Sequence, residues 1–453
     1  KPGPKGGFLC DEMGLGKTVQ IISTLLGNPK PKTLIIVPKS IVSQWVEQFG
    51  VFAPHLKVGT FDGPGRTKNP TDFNMYDVVI APYSVTRNRD GTATTLHKLR
   101  WDRIVLDEAH EIRNAKSKTN VSVCAIQGGI KWLVTGTPVF NSIKDFVGLC
   151  KFLGFSQQVV QADMKWLRNT HILRRTKEDV AKFNQRLKLP PCDFENVELE
   201  MAPEERSLYE KIFLENQEVV REIFAKSTNV AMHSMHILEC LLRQRQLMVH
   251  PQLYLNGVAK KLDEAPEEWE HDVAKFEKLF EMMMEHQDEK TLIFCQFVGE
   301  MDIIQDRLRD MGIQSSRIDG SIDKEGRERQ IRKFKEGPPN AAFIIQIKAG
   351  GQGLNLQEAT RVYIMAPSWN PATELQAIGR SHRTGQVKKV VVRRFIYVGT
   401  ETTPSVEQSM MELQGHKSVV CSEVLNDPRL LQQVPTKSVR NITIQDLKKI
   451  FQV

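Results

Sequence analysis

The feature that most constrains this chain is a rhythm that occurs twice. Four short apolar runs, 33–37 (TLIIV), 77–81 (DVVIA), 103–107 (RIVLD) and 131–135 (KWLVT), alternate with stretches of helical character. Such runs, rich in β-branched residues and only four or five long, are what strands buried on both faces of a parallel sheet require. A second series opens near 291, with runs at 291–297 (TLIFCQF), 341–347 (AAFIIQI), 361–366 (RVYIMA) and 388–397 (KKVVVRRFIY). Helices fit over 299–311, 325–336 and 372–383. Strand–helix alternation of this kind predicts α/β domains. About 120 residues of different character lie between the two series, and 201–250 reads as helical. The expected organisation is a first lobe over 1–160, helical protrusions and a connector over 161–270, and a second lobe over 271–453.

Composition narrows the function classes. The seven cysteines of the 453 residues include no CxxC pair, which excludes a zinc ribbon, a RING finger or a redox dithiol built by this chain alone. No apolar run approaches the roughly 18 residues that a membrane helix needs, and no signal peptide opens the chain. Lys plus Arg exceeds Asp plus Glu by 62 to 54, a surplus that permits a polyanionic partner without establishing one. The charge is unevenly laid out. Residues 163–188 hold eight basic against three acidic residues, and 263–289 hold eleven acidic against two basic. The basic stretch is a candidate DNA contact, and the acidic one reads as a solvated face.

Four short motifs carry the chemistry. Residues 11–18 read DEMGLGKT, and Gly16–Thr18 match the end of a phosphate-loop pattern whose first position is here Asp11 rather than glycine. Gly14 and Gly16 allow backbone N–H groups to wrap a phosphate. Lys17 would meet the β- and γ-phosphates, and the Thr18 hydroxyl would ligate Mg²⁺. The loop comes so early that an upstream part of the first lobe is expected. Asp107-Glu108-Ala109-His110 follows the run RIVLD, and carboxylates at the end of a parallel strand sit where such sheets bind ligands. Asp107 would hold Mg²⁺ and Glu108 would polarise the attacking water. TGTP at 135–138 ends another strand. In QAIGRSHRTGQ at 376–386, Arg380 and Arg383 are three apart, so on a helix they would share one face, as arginine fingers for a γ-phosphate.

In this order and spacing, the motifs resemble those of the SWI/SNF-type branch of superfamily 2 helicase-related ATPases, over roughly 6–450. Besides DEMGLGKT, the resemblance rests on LIIVPKSIVSQWVEQF at 34–49, DVVIAPYSV at 77–85, LDEAHEIRN at 106–114 and LVTGTPVFNS at 133–142. It continues through ILRRTKEDV at 172–180, RQLMVHP at 245–251, TLIFCQF at 291–297, KAGGQGLNLQEA at 348–359 and QAIGRSHRTGQ. The resemblance implies two RecA-like lobes with helical protrusions and ATP·Mg²⁺ between them. It also implies stepping along one strand of double-stranded DNA, nucleosomes or other DNA-bound proteins as targets, and targeting by flanking domains or subunits. A nuclear location follows if the source is eukaryotic, and a cytoplasmic one otherwise.

Carried over by motif, Asp11, Gly14, Gly16, Lys17, Thr18, Gln376 and Gly353 belong to the nucleotide. Lys39, Thr135, Thr137, Lys348, Gly351, Trp369 and Asn370 belong to the DNA or the coupling path. The chain departs from the family at Ala366 and Ser368, where many relatives carry an acid and a tryptophan, and at Gln346, where a serine is usual. The motif contexts are closest to the repair and transcription-termination subgroup, whose RING insert this chain lacks. Among weaker signals, His233 and His236 read as a helix surface, Met282 to Met284 as core, and Trp45 either as core or as a base-stacking residue.

Overall fold

The computed structural model describes residues 4–87, 92–136, 138, 143–184, 188–226, 234–350, 354–383, 385–400, 402–412, 448 and 450–453. The chain forms two compact units whose main spans meet at Leu189 and Pro190. The first holds a seven-stranded sheet of β1 (Gly6–Leu9), β2 (Thr33–Val37), β3 (Val58–Thr60), β4 (Val78–Pro82), β5 (Arg100–Asp107), β6 (Gln127–Val134) and β7 (Ile172–Leu173). Its order is β3-β4-β2-β5-β6-β1-β7, and every pairing is parallel.

Burial on both faces explains why the strands could be read from composition. Along β2, Leu34 and Ile36 join a core with Phe8, Trp101 and Phe146. Ile35 and Val37 point the other way, into a core with Ile22, Trp45 and Phe49. The two helices on that second face are α1 (Lys17–Gly27) and α2 (Val42–Phe52). Each fully buried side chain of this kind contributes about 1.5–3 kcal/mol.

The second unit repeats the plan with β8 (Cys192–Leu199), β9 (Thr291–Cys295), β10 (Ser315–Ile318), β11 (Ala342–Gln346), β12 (Arg361–Ile364) and β13 (Val390–Tyr397). The order is β10-β11-β9-β12-β13-β8, again all parallel. Leu292 and Phe294 face one core, Ile293 and Cys295 the other. The α/β class with two parallel sheets flanked by helices is thus present. The helices Pro203–Lys226, Ser234–Val249 and Pro251–Leu262 supply the helical stretch.

Five of these strands, β1, β3, β7, β8 and β10, lie outside the expected set. β7 lies beside β1, and a Cβ on Gly7 would stand 2.4 Å from the His171 carbonyl oxygen, so this close pairing requires glycine. β8 is an edge strand, and its sequence CDFENVEL places acids where an apolar run would be sought. Those acids meet cations on β13 and just before it. Asp193 is 2.9 Å from Lys389, and Glu195 is 3.1 Å from Arg393. No helix among the described residues is long and apolar enough to cross a membrane.

Candidate active site

The phosphate-loop segment runs from the end of β1 into α1. Gly14 has φ 89° and Gly16 φ 69°, left-handed values that glycine adopts without penalty. α1 begins at Lys17 with no acidic residue in its first turn and no side-chain cap on Gly16, so its positive end faces the loop. The Lys17 ammonium donates to the carbonyl oxygens of Asp11, at 2.9 Å, and Glu12, at 3.4 Å. Burial lowers its pKa, while Glu108, Asp107 and Asp11 pull the other way.

Thr135 and Gly136 of TGTP lie against this loop. The Thr135 N–H donates to the Leu9 carbonyl at 3.1 Å, and a Cβ on Gly136 would stand 3.6 Å from Lys17 Nζ.

Asp107 closes β5 with its carboxylate held from two sides. Trp45 Nε1–H donates to Oδ2 and the Glu108 N–H to Oδ1, each at 2.9 Å. Tyr83 donates its hydroxyl to the Asp107 carbonyl oxygen at 2.9 Å. Burial, and secondly the Glu108 charge, push the Asp107 carboxyl up to about 6. Glu108 itself sits at φ 46°, a left-handed conformation that costs a non-glycine residue about 1–3 kcal/mol and is typical of functional sites. Its Oε2 is 3.4 Å from His110 Nδ1. Burial pulls His110 down to about 4, so at neutral pH this contact is polar rather than ionic.

A buried carboxylate raised in this way, next to a second carboxylate, has the donor chemistry that a divalent cation satisfies. Asp107 and the Thr18 hydroxyl at the start of α1 are the residues that would hold it.

Several expected residues are placed differently from the sequence reading. Asp11 does not present its carboxylate to a phosphate. The carboxylate is fully buried and accepts from the Arg175 guanidinium and from Gln20 Nε2. Thr135 is fully buried, so within its lobe it offers no surface to nucleic acid. Trp45 is core, 1% exposed, and its indole serves Asp107 rather than stacking on a base. The helix expected over 372–383 spans Pro371–Ile378 only. Arg380 and Arg383 therefore lie in the turn after it, not on one helical face. Arg380 is 8% exposed, and its carbonyl accepts from the Leu356 N–H.

Gln376 is buried on that helix. Lys39 and Lys348 are exposed. Trp369 is partly buried, with the Arg245 guanidinium 5.4 Å from its ring centroid, and Asn370 follows it just before the helix. Thr137, Gly351, Gly353 and His233 lie outside the described residues.

Nothing in the sequence alone singles out Tyr83 or Gln20, and it places Arg175 within the basic stretch at 163–188. Trp45 and Asp107 are 62 positions apart and Arg175 and Asp11 are 164 apart, so only folding brings them together. The basic stretch at 163–188 is partly spent here. Arg174 donates to the Cys10 carbonyl at 2.8 Å, and Lys177 Nζ lies 3.5 Å from Glu12.

Residues 3–253 match the SNF2-related domain, more than half the chain. The chain belongs to the SNF2-related family. Residues 274–385 match the helicase conserved C-terminal domain. Among SNF2 relatives, it is 30% identical to human SWI/SNF-related matrix-associated actin-dependent regulator of chromatin subfamily A member 1, over 98% of this chain and 44% of that protein. It is 26% identical to DNA repair protein RAD5B of Arabidopsis thaliana, over 99% of this chain and 47% of the relative. A solved Sulfolobus solfataricus SWI2/SNF2 ATPase core in complex with dsDNA is 26% identical, with 98% of this chain and 92% of that chain covered and a TM-score of 0.43. The chain spans about half or less of the length of the curated relatives named here. It carries an SNF2-type, helicase-like, nucleotide-using ATPase core, homologous to chromatin remodellers and DNA repair factors, with two parallel sheets flanked by helices.

Proposed function

We propose that this core is a DNA-dependent ATPase that translocates along double-stranded DNA and displaces or remodels bound protein, nucleosomes included. The observation that carries the reading is the convergence in one unit of Lys17, Gly136 of TGTP and the Asp107–Glu108 pair. In this reading the backbone of the Gly14–Gly16 turn and the end of α1 cradle the phosphates, and Lys17 balances their charge. Thr18 and Asp107 would hold Mg²⁺, which would supply charge neutralisation to the phosphates. Trp45 fixes the orientation of Asp107. Glu108 orients the water for in-line attack. Arg380 and Arg383 serve the charge that develops on the transferring phosphoryl group.

Lys39, Lys348, Trp369 and Asn370 are the strand-facing candidates among the described residues. A grip on phosphates carries little sequence preference and weakens steeply with salt. In a eukaryotic host such a motor acts in the nucleus, with targeting supplied by flanking domains or subunits.

Two assays side by side test the reading: displacement of a triplex-forming strand from duplex, and unwinding of a forked duplex. ATP-dependent triplex displacement without unwinding is expected. Robust unwinding, or activity on RNA instead of duplex DNA, would overturn the translocase reading.

A further inference from the structure

The segment Leu173–Lys177 sits in a part of the sequence that carries no catalytic motif. In the fold it lies along the root of the phosphate loop and is tied to it residue by residue. The Cys10 N–H donates to the Leu173 carbonyl at 2.8 Å, and the Glu12 N–H to the Arg175 carbonyl at 2.9 Å, so the strand pairing of β1 with β7 continues into the loop. Side chains reinforce it. Arg174 donates to the Cys10 carbonyl at 2.8 Å. Arg175 gives its own N–H to Asp11 Oδ1 at 3.0 Å and its Nε–H to Oδ2 at 3.1 Å. Its Nη2 reaches Asp11 Oδ2 and Gln20 Oε1, each at 2.5 Å, and Gln20 Nε2 returns to Asp11 Oδ2 at 3.1 Å.

The second loop carboxylate does similar work. Glu12 Oε2 accepts from the Lys177 N–H at 2.8 Å, and so caps the first turn of the helix Lys177–Phe183. The Lys177 side chain then lies over the loop, with its Cε 3.4 Å from where a Cβ on Gly14 would stand. The capping box between Thr176 and Asp179 fixes that helix start independently of the loop.

We infer that Leu173–Lys177 is a positioning strap for the nucleotide site, in which Arg175, acting through Asp11, holds the phosphate loop in its binding conformation. The inference rests on the reading of that loop as the ATP site. Its physical content is preorganisation. Asp11 is fully buried, and its carbonyl oxygen is also the 2.9 Å acceptor for Lys17, so any shift of Asp11 moves the ammonium meant for the phosphates. Arginine is required because its planar fork spans Asp11 and Gln20 together, which the point charge of lysine does not. A loop freed from the strap would visit its binding conformation less often, and apparent affinity falls in proportion to that fraction.

The test measures ATP KM and kcat with saturating duplex DNA, and DNA affinity at two salt concentrations, for the full chain and its variants. For Arg175→Ala, KM for ATP should rise about tenfold while kcat holds within about twofold and DNA affinity with its salt slope is unchanged. Arg175→Lys should fall between. Asp11→Asn should raise KM similarly, and the double variant should be little worse than either single one, because both remove the same tie. Thermal melts monitor folding. If Arg175→Ala does not fold, Gln20→Ala, which removes one arm of the network, should still raise KM by a few-fold.

An unchanged KM in the folded variants overturns the strap. So does a loss of DNA affinity matching the loss of ATPase, which would make Arg175 a phosphate-backbone contact. Lys17→Ala separates this from the underlying reading. If Lys17→Ala abolishes turnover while the strap variants keep a normal KM, only the strap fails. If Lys17→Ala is fully active, the ATP site itself is misplaced.

Discussion

The C-terminal strand ends of the two sheets hold buried polar groups in opposite ways. In the first unit Asp107 and Lys17 are a desolvated carboxylate and a desolvated ammonium with shifted titration, beside Glu108 at φ 46°. In the second, the buried carboxylate Glu374 is answered by Arg394, by the Ser368 N–H at 2.6 Å, and through Arg394 by Asn196 at 3.0 Å. Gln296 similarly donates to the Ala366 carbonyl and to Ser368 Oγ. One sheet keeps charge concentrated and strained where a phosphate and a cation would relieve it. The other neutralises charge internally and gains rigidity. The same α/β plan thus yields a reactive end and a braced end.

The largest effect expected from this contrast is on turnover. Glu108→Gln removes the water-orienting carboxylate and should cut kcat by about 10²–10³-fold with ATP binding retained, measured by steady-state hydrolysis and nucleotide titration. On the braced side, Arg394→Ala strands the Glu374 carboxylate in the core. It should cost about 3–5 kcal/mol in chemical denaturation. A loss of turnover without loss of stability would erase the distinction between the two sheets.

The second unit also carries a pH signature. Burial raises Glu300 to about 7, above its ordinary 4.5. With the folded pKa raised, this stabilisation is fully present below about 4.5 and is lost as pH rises through 7. The denaturation midpoint should therefore fall between pH 5 and 8, with a slope of up to about 1.4 kcal/mol per pH unit for this group. Glu300→Gln should flatten part of that slope. Glu205, likewise raised to about 7, keeps the rest.

The smallest effect belongs to Trp45→Phe. It deletes the indole donor to Asp107 and should cost about 1–2 kcal/mol of stability, with a few-fold lower kcat/KM.

The strands and the reactive ends could be read in the sequence for a shared reason. Parallel strands buried on both faces must be apolar, and phosphate chemistry demands glycines, a lysine and carboxylates at fixed local spacing. What could not be read is non-local. β8 looks unlike a strand because its acids are paid for by Lys389 and Arg393, nearly 200 residues away. Arg175 looked like part of a DNA-binding run because nothing local marks Asp11 as its partner. Trp45 was ambiguous until its indole met Asp107. The early end of the helix at Ile378 did have a signal, in the Gly379 that follows it, since glycine is a poor helix former. That glycine puts Arg380 and Arg383 on a turn, where a shared helical face was expected.

In the proposed function the strand ends of the first sheet hydrolyse ATP in response to duplex DNA. The most direct measurement is the ATPase rate of the purified chain, with and without naked duplex, alongside Lys17→Ala. A large duplex-dependent rise is expected in the wild-type chain and none in the variant. A rate indifferent to duplex DNA, or a Lys17→Ala chain as active as the wild type, would contradict it.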